Sequence, residues 1–193
     1  MQLSVTGPFG WLPSSDYFLP RVFDVPEGRA RGVYLFTVPA DTGQLIYWVG
    51  QTTQPFQTRL RDHVRQYFAG TYSVLDPDGL AKCQRVVLWK GMWFRKDAAD
   101  RFEEYLDAAG NIAAHTRRLL QASQIFLMPA QKDKRLLARI EGAIVNCLYA
   151  DSTVGHILDR GYHVAPRWEN EEPLETLRVD GPDFLGLPRD LSV

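Results

Sequence analysis

Cysteine is scarce in this sequence, which contains only two among its 193 residues. Cys83 and Cys147 are far apart and lack the paired spacing that is typical of a zinc site. We expect both thiols to remain reduced, which favours a cytoplasmic location. Cys147 also falls on the apolar stripe of a predicted helix, so we expect it in the core.

Long apolar runs, internal repeats and low-complexity tracts are missing as well. No run approaches the roughly 20 apolar residues that span a bilayer, so we expect no membrane partner. Residues 1–20 lack the charged start and the long apolar core of a signal peptide. Apolar residues make up 45% of the chain and aromatic residues 12%, which predicts a single globular domain over residues 1–193.

The net charge is only −1, from 22 basic and 23 acidic residues. This balance counts against a nucleic-acid binder that depends on charge alone, because neutralising phosphates drives such binding. The charges are nevertheless unevenly distributed. Residues 51–101 carry nine basic and five acidic residues, whereas residues 169–193 carry seven acidic and two basic ones. The pattern indicates a basic face in the middle of the chain and an acidic C-terminal tail.

Two runs of apolar, β-branched and aromatic residues, 32–38 and 44–50, predict a pair of strands. The intervening Pro39, Asp41 and Gly43 are turn residues, so we predict a β-hairpin. A helix should follow, with Thr53 as its cap and Pro55 in its first turn. The apolar side chains that recur at helical spacing in this segment are Phe56, Leu60, Val64 and Tyr67.

Four polar residues of this helix fall into two groups. On a helical wheel, Arg59 and His63 lie one turn apart along one edge of the apolar stripe. Arg61 and Arg65 fall on the opposite side, toward solvent. For an isolated helix, Arg59 would extend over the apolar edge and His63 would fill a gap in the packing.

Aromatic and basic residues alternate after the next predicted strand, at residues 85–89. The following segment contains Lys90, Trp93, Arg95 and Lys96. This composition suits a groove that stacks on bases and pairs with phosphates. It suits equally well a strand end in an amphipathic setting, and both interpretations stay open. Two helices are then predicted, over residues 97–107 and 110–122.

The last predicted elements are a strand over residues 124–129, closed by Pro129, and a long helix over residues 133–149. Glu141 lies on the border of the apolar stripe of this helix. In isolation, a glutamate at such a border is typical of a solvated helix surface. The predicted stripe itself consists of Leu136, Ile140, Ala143, Ile144 and Cys147.

In this order and spacing, the motifs resemble the GIY-YIG nuclease family. The family begins with a Gly-Ile-Tyr strand and a Tyr-Ile-Gly strand, for which this chain has Gly32-Val33-Tyr34 and Trp48-Val49-Gly50. A helix with an arginine and often a histidine four residues later follows in the family, and Arg59 and His63 match that pair. Glu141 matches the metal-binding glutamate on a later helix.

The resemblance implies an α+β (α/β) fold and an activity. It implies a small sheet that starts with the β-hairpin and is flanked by helices, with the nuclease core at residues 30–165 and a helical insertion at about 70–123. Outside this core, residues 1–29 and 166–193 would form irregular arms. The implied activity is a Mg²⁺- or Mn²⁺-dependent endonuclease that hydrolyses phosphodiester bonds, with DNA as the expected partner. The oligomeric state stays open.

The resemblance also implies roles for individual residues. The implied catalytic residues are Tyr34, Arg59, His63 and Glu141, and Glu141 would hold the metal. The implied supporting residues are Tyr47, Trp48, Gly50 and His163, the last of which lies roughly where many family members have an asparagine. The charge distribution and the interleaved aromatic residues, rather than the resemblance, predict the nucleic-acid-binding residues Arg61, Arg65, Lys90, Trp93, Arg95 and Lys96.

One residue departs from the family pattern, because Trp48 replaces the tyrosine of the second signature. An indole N–H donates a hydrogen bond but cannot accept a proton, so Trp48 cannot act as a general base. Tyr47 should face the other side of the sheet unless the strand bulges or its register slips. Either Tyr34 or His63 would then be the base. The alternative is a catalytically degenerate module of the same fold that binds nucleic acid or another partner.

Overall fold

A four-stranded antiparallel sheet lies at the centre of the computed structural model, which describes residues 2–12, 19–130, 133–158 and 176–193. In chain order the strands are β1 (Gln2–Ser4), β2 (Thr6–Gly10), β3 (Gly32–Ala40), β4 (Gly43–Thr52), β5 (Val74–Leu75), β6 (Val87–Trp89), β7 (Gln124–Pro129), β8 (Thr176–Asp180) and β9 (Asp190–Ser192). The helices are a 3-10 helix (Pro26–Arg29), α1 (Phe56–Phe68), α2 (Pro77–Ala81), α3 (Arg95–Asp100), α4 (Phe102–Ala122) and α5 (Lys134–Ala150). The central sheet has the order β2-β7-β3-β4, and the expected α+β fold is confirmed.

The predicted hairpin of β3 and β4 is present, and β3 lies in the interior of the sheet between β4 and β7. Tyr34 of β3 pairs directly with Gly50 of β4. A β-carbon at Gly50 would lie 2.4 Å from both Cζ and Oη of Tyr34, which is far inside van der Waals contact. The absence of a side chain at Gly50 therefore leaves room for the Tyr34 ring.

Helix α1 differs in two details from the prediction. Thr53 does not cap it: the cap residue is Pro55, which provides no side-chain hydrogen bond. The backbone N–H of Phe56 instead donates to the carbonyl of Ala30 at 2.8 Å, so a neighbouring segment satisfies the helix start. The buried face is also rotated, because His63 is fully buried where the predicted stripe had the half-buried Val64.

The segment between α1 and β7 is divided at other places than predicted. Residues 102–122 form one continuous helix, α4, and the break from α3 lies at Arg101 rather than near Gly110. A single glycine costs a helix about 1 kcal/mol, which is too little to end one that is anchored by buried residues such as Ile112 and Leu119. The strand predicted over residues 85–89 is shorter than expected and pairs with β5 in a separate two-stranded sheet.

Helix α5 begins as predicted, because the side chain of Asp133 accepts a hydrogen bond from the N–H of Leu136 at 2.9 Å. Its buried side chains include Leu137, Val145 and Leu148, whereas Cys147 is only half-buried. The core face is therefore rotated by about 50° toward Glu141 relative to the predicted stripe. None of the described helices combines the length and the apolar character that a membrane crossing requires.

The two ends of the chain are more regular than predicted. Strand β2, in the arm expected to be irregular, is an edge strand of the central sheet beside β7. Strand β1 pairs in parallel with β8, which in turn pairs with β9 from the acidic tail. Pairing between segments this far apart in the sequence leaves no local signal, which is why the sequence did not indicate it.

Two glycines give opposite predictions for substitution by alanine. Gly110→Ala should stabilise the protein by up to about 1 kcal/mol, because no atom lies within 4 Å of the added β-carbon and alanine favours the helix. Gly50→Ala should destabilise it by about 1–3 kcal/mol, because the Tyr34 ring has to move. Urea denaturation measures both. A Gly50→Ala variant as stable as the wild type would contradict the described packing of Tyr34.

Candidate active site

The hydroxyl of Tyr34 is the centre of a hydrogen-bonded junction between the sheet and α1. Its Oη lies 2.7 Å from Nε2 of His63, and Nε of Arg59 donates to the same oxygen at 3.3 Å. A guanidinium only donates, so Tyr34 accepts from Arg59 and its own proton can be donated to Nε2 of His63. The one-turn spacing of Arg59 and His63 directs both side chains to one tyrosine.

His63 is neutral in this setting. Burial, and secondly the positive charge of Arg59, lowers the pKa of His63 to about 3. Nδ1 of His63 is buried and has no hydrogen-bond partner in the described part of the chain. The imidazole therefore meets Tyr34 as an acceptor at Nε2, with its hydrogen on Nδ1. His63 is thus buried in the packing, as an isolated helix would suggest, but with a specific polar partner.

Tyr34 forms the floor of the site and is only 1% exposed. Burial raises the pKa of its hydroxyl to about 12, although the charge of Arg59 and the hydrogen bond from it oppose the shift. The tyrosine consequently carries its proton at neutral pH. Arg59 and Glu141, by contrast, are both half-buried.

Glu141 is brought to the same place by α5, which packs against β3 and β4. Its carboxylate is close enough to Tyr34 and Arg59 to interact with both electrostatically. Burial raises the pKa of Glu141 to about 7, and the charge of Arg59 opposes this shift. Within the described ranges, the structure assigns this carboxylate no hydrogen bond and no ion pair, so both oxygens are available to a ligand.

The donor set at this site limits which metal it suits. No group of three or more histidine, cysteine or acidic side chains that could hold a metal occurs among the residues that the structure describes. This excludes a preformed zinc site built from those residues. Mg²⁺ and Mn²⁺ prefer oxygen ligands, and Mg²⁺ commonly combines one or two carboxylates with water and substrate phosphates. Glu141 fits that requirement, with the substrate as the second partner.

A β-bulge in β4 determines on which side of the sheet Tyr47 and Trp48 lie. Phe36 pairs with Trp48, but Thr37 pairs with Ile46, so Tyr47 is an extra residue in the strand. The bulge brings the Tyr47 ring within 6.1 Å of the Phe36 ring, on the side of the sheet that faces α1. The strand therefore bulges, which is the condition under which Tyr47 could approach the site.

Tyr47 nevertheless takes no part in the junction. Its buried hydroxyl donates to Oγ of Ser123 at 2.9 Å, and Ser123 donates to the carbonyl of Leu119 at 2.6 Å. Burial raises the pKa of Tyr47 well above its ordinary value. Trp48 instead lies beside the junction, with its ring 5.5 Å from the His63 ring in an edge-to-face arrangement. Neither residue supplies a proton acceptor to the site.

The residues predicted to bind nucleic acid are all exposed, but they differ in their partners. Arg65 forms an ion pair with Asp62 at 2.9 Å, and the guanidinium of Arg61 lies over the Phe23 ring at 5.5 Å. In the part of the chain that the structure describes, no ion pair involves Lys90, Arg95 or Lys96. Trp93 is 44% exposed.

The sequence did not single out Tyr72, which lies between the junction and the exposed Trp93. Its ring is 5.4 Å from the His63 ring and 4.6 Å from the Trp93 ring. Burial raises the pKa of Tyr72, and the nearby charge of Arg59 opposes the shift. The sequence did contain one relevant signal, because a glycine after a helix often marks its end. Gly70 has a φ of +68°, which only glycine adopts readily. The predicted supporting residue His163 lies outside the described residues.

Comparisons of the chain with protein-family models, with characterised proteins and with solved structures return no match.

Acid should reveal the buried neutral state of His63. The pKa of His63 is about 3 in the folded protein, against about 6.5 in an unfolded chain. The unfolded state therefore binds the extra proton, and stability falls as the pH drops below about 6.5. His63→Gln removes this titration. We expect the free energy of unfolding to fall more steeply with acid in the wild type, by up to about 1.4 kcal/mol per pH unit.

The measurement is urea denaturation at a series of pH values between about 6.5 and 4. The matched control is His115→Gln, which makes the same substitution at a half-buried position on α4. Arg59, Tyr34 and Tyr72 are the charged and titratable groups that face His63 and are kept in all three proteins. Equal slopes for the wild type and His63→Gln would contradict the described state of the imidazole.

Proposed function

We propose that this protein is a metal-dependent endonuclease that hydrolyses phosphodiester bonds in DNA. The observation that carries the proposal is the placement of the Tyr34 hydroxyl, which is held between Arg59 and a neutral His63 and is close enough to Glu141 to interact with its carboxylate electrostatically. Phosphodiester hydrolysis requires a proton acceptor for water and cationic groups for the phosphate. The order of the sequence signatures, which resembles the GIY-YIG pattern, supports the same activity.

Tyr34 is the group that receives the proton of the attacking water in this mechanism. The water oxygen forms a bond to phosphorus while its proton passes to Oη of Tyr34. The original hydroxyl proton of Tyr34 moves at the same time to Nε2 of His63, 2.7 Å away. The bond from phosphorus to the leaving oxygen breaks, and that oxygen takes a proton from solvent. In this mechanism Tyr34 and His63 share the role of the base, whereas the amino-acid sequence left them as alternatives.

Arg59 binds the phosphate and also tunes the proton acceptor. A guanidinium has five N–H donors, so the bond from Nε to Tyr34 leaves terminal donors for a non-bridging phosphate oxygen. The charge of Arg59 contributes to the low pKa of His63 in the free protein. A bound phosphate offsets that charge, which raises the pKa of His63 and favours proton transfer when substrate is present.

Glu141 holds the metal ion in this proposal. Bound Mg²⁺ or Mn²⁺ would supply positive charge that stabilises the phosphate and the leaving oxygen as negative charge develops. Glu141 would contribute the anchoring carboxylate on α5, and water molecules and substrate phosphate oxygens would supply the other ligands. The dependence on substrate explains how one protein carboxylate suffices.

Trp48 favours a second candidate function, a nucleic-acid-binding module with the same residues and no hydrolysis. The indole occupies the place of the second signature tyrosine and packs against His63, so it removes one possible proton acceptor. Such a module would use Arg59 to bind phosphate but would have no chemical requirement for Glu141. The two functions therefore differ in what Glu141 does.

Substitution of Glu141 and Arg59 separates the two functions. Glu141→Gln keeps the side-chain shape but removes the charge that holds the metal, so cleavage should fall by about 100-fold or more while DNA binding is unchanged or slightly stronger. Arg59→Ala should weaken both, because the guanidinium contacts phosphate before and during the reaction. Cleavage is measured as single-turnover hydrolysis of labelled DNA with Mg²⁺, and binding by fluorescence anisotropy without metal.

The matched controls are two exposed residues of α4, Glu103→Gln and Arg117→Ala, which should behave as the wild type. Cleavage by Glu141→Gln at the wild-type rate would overturn the assigned metal site. A wild-type protein that binds DNA but cleaves no form of it with Mg²⁺ or Mn²⁺ would establish the binding module instead.

A further inference from the structure

An aromatic stack leads from the buried junction to the surface. The Phe36 and Trp48 rings are stacked with centroids 6.2 Å apart, and Trp93 lies parallel to Trp48 at 6.0 Å with an interplanar angle of 2°. Tyr72 stacks on both indoles, at 5.5 Å from Trp48 and 4.6 Å from Trp93. Trp93 is the outermost ring of the stack and is 44% exposed. Although Tyr72 and Trp48 both stack on this indole, nearly half of its surface stays accessible to a ligand.

The backbone holds Trp93 in this position. The N–H of Gly91 donates to Oγ of Ser73 at 3.0 Å, and the N–H of Met92 donates to the carbonyl of Gly70 at 3.1 Å. Gly91 is packed so closely that a β-carbon there would lie 2.4 Å from the carbonyl oxygen of Thr71. These contacts fix the segment that carries Trp93 against the turn that carries Tyr72. The exposed indole is therefore held in a defined position.

The stack is adjacent to the groups that act on the phosphate. Both Trp48 and Tyr72 contact the His63 ring, at 5.5 Å and 5.4 Å. Arg59 interacts electrostatically with the Tyr72 hydroxyl. A ligand on the exposed part of Trp93 would thus be separated from His63 by one ring, that of Trp48 or Tyr72.

The surroundings of Trp93 are basic. Arg95 and Lys96 follow two and three residues later at the start of α3, and Lys90 lies three residues before it; all three side chains are exposed. A flat aromatic face beside positive charge matches the two parts of a nucleotide, since the base stacks and the phosphate pairs with a cation. A protein partner would gain little from these three cations, which form no ion pair with the described residues, unless it were acidic.

We propose that Trp93 is a platform for one unpaired base of the nucleic-acid substrate, so that the protein acts on a single-stranded or extruded nucleotide beside the scissile phosphate. In a continuous duplex both faces of every internal base are covered by its neighbours, so an indole can stack only on a base that has left the helix or was never paired. This inference rests on the proposed nuclease site and defines its substrate class.

The test is the affinity for labelled oligonucleotides, measured by fluorescence anisotropy with EDTA present so that no cleavage is required. Trp93→Ala should weaken binding of an oligothymidylate of about 12 nucleotides by about tenfold or more, the effect of losing one stacked base. Trp93→Phe keeps a stacking face and should stay within about threefold of the wild type. Trp93→Leu keeps apolar bulk without a π-face and should resemble Trp93→Ala.

Two controls separate stacking from other contributions. Phe94→Ala changes the neighbouring residue, which is even more exposed at 73%, and should alter the affinity by less than about twofold. Lys96→Ala should weaken single-stranded and duplex DNA alike and lower the salt slope by about one, whereas Trp93→Ala should leave that slope unchanged. An oligonucleotide with one abasic position should bind the wild type less tightly at a single place along the strand, and Trp93→Ala should lose that preference.

The outcomes distinguish the platform from the nuclease. If Trp93→Ala weakens single-strand binding as expected but the wild type never cleaves, the platform stands and the nuclease fails. If the wild type cleaves fully paired duplex and Trp93→Ala neither slows cleavage nor weakens single-strand binding, the platform is overturned and the nuclease stands. Absence of binding to every nucleic acid overturns both, and an acidic protein then becomes the partner to seek.

Discussion

The hydrogen bond between the Tyr34 hydroxyl and Nε2 of His63 is the contact on which the rest of this site depends. Burying an imidazole costs free energy unless its polar atoms find partners, and Tyr34 supplies one at 2.7 Å. Tyr34 in turn is fixed because β3 is paired on both sides, by β4 and β7, and because Gly50 leaves space for the ring. The position of α1 relative to the sheet is thereby tied to the position of a single hydroxyl.

The same burial sets the chemistry that the junction can perform. Low polarity around His63 keeps the imidazole neutral, and it also keeps the proton on Tyr34, so the pair begins with one transferable proton between two acceptors. The aromatic rings that create this low polarity continue to the surface at Trp93. The stack therefore has two consequences, one for proton transfer and one for the ligand that its outer face can accept.

Local features of this fold could be predicted from the sequence, whereas features that depend on distant pairing could not. The hairpin, β7 and the start of α5 follow from turn residues, apolar runs and the cap at Asp133. The pairing of β1 with β8 joins the two ends of the chain, and the bulge at Tyr47 depends on how two strands meet. Neither leaves a periodic pattern in one segment.

The candidate site shows the same division. Arg59 and His63 could be identified because their spacing places them on one helix face, and the structure joins both to Tyr34. The burial of His63 was underestimated, since the wheel assigned the core to Val64 and could not include the rings that cover the histidine. Tyr72 escaped notice because it lies in a turn, where side-chain direction depends on backbone angles rather than on a period.

The central claim is that Tyr34 takes the proton of the attacking water, and Tyr34→Phe tests it most directly. Phenylalanine keeps the ring that fills the space at Gly50 but removes the hydroxyl that links Arg59 to His63. Single-turnover cleavage with Mg²⁺ should fall by about 100-fold or more, while DNA affinity measured without metal stays within about threefold. Cleavage by a folded Tyr34→Phe variant at the wild-type rate would contradict the claim.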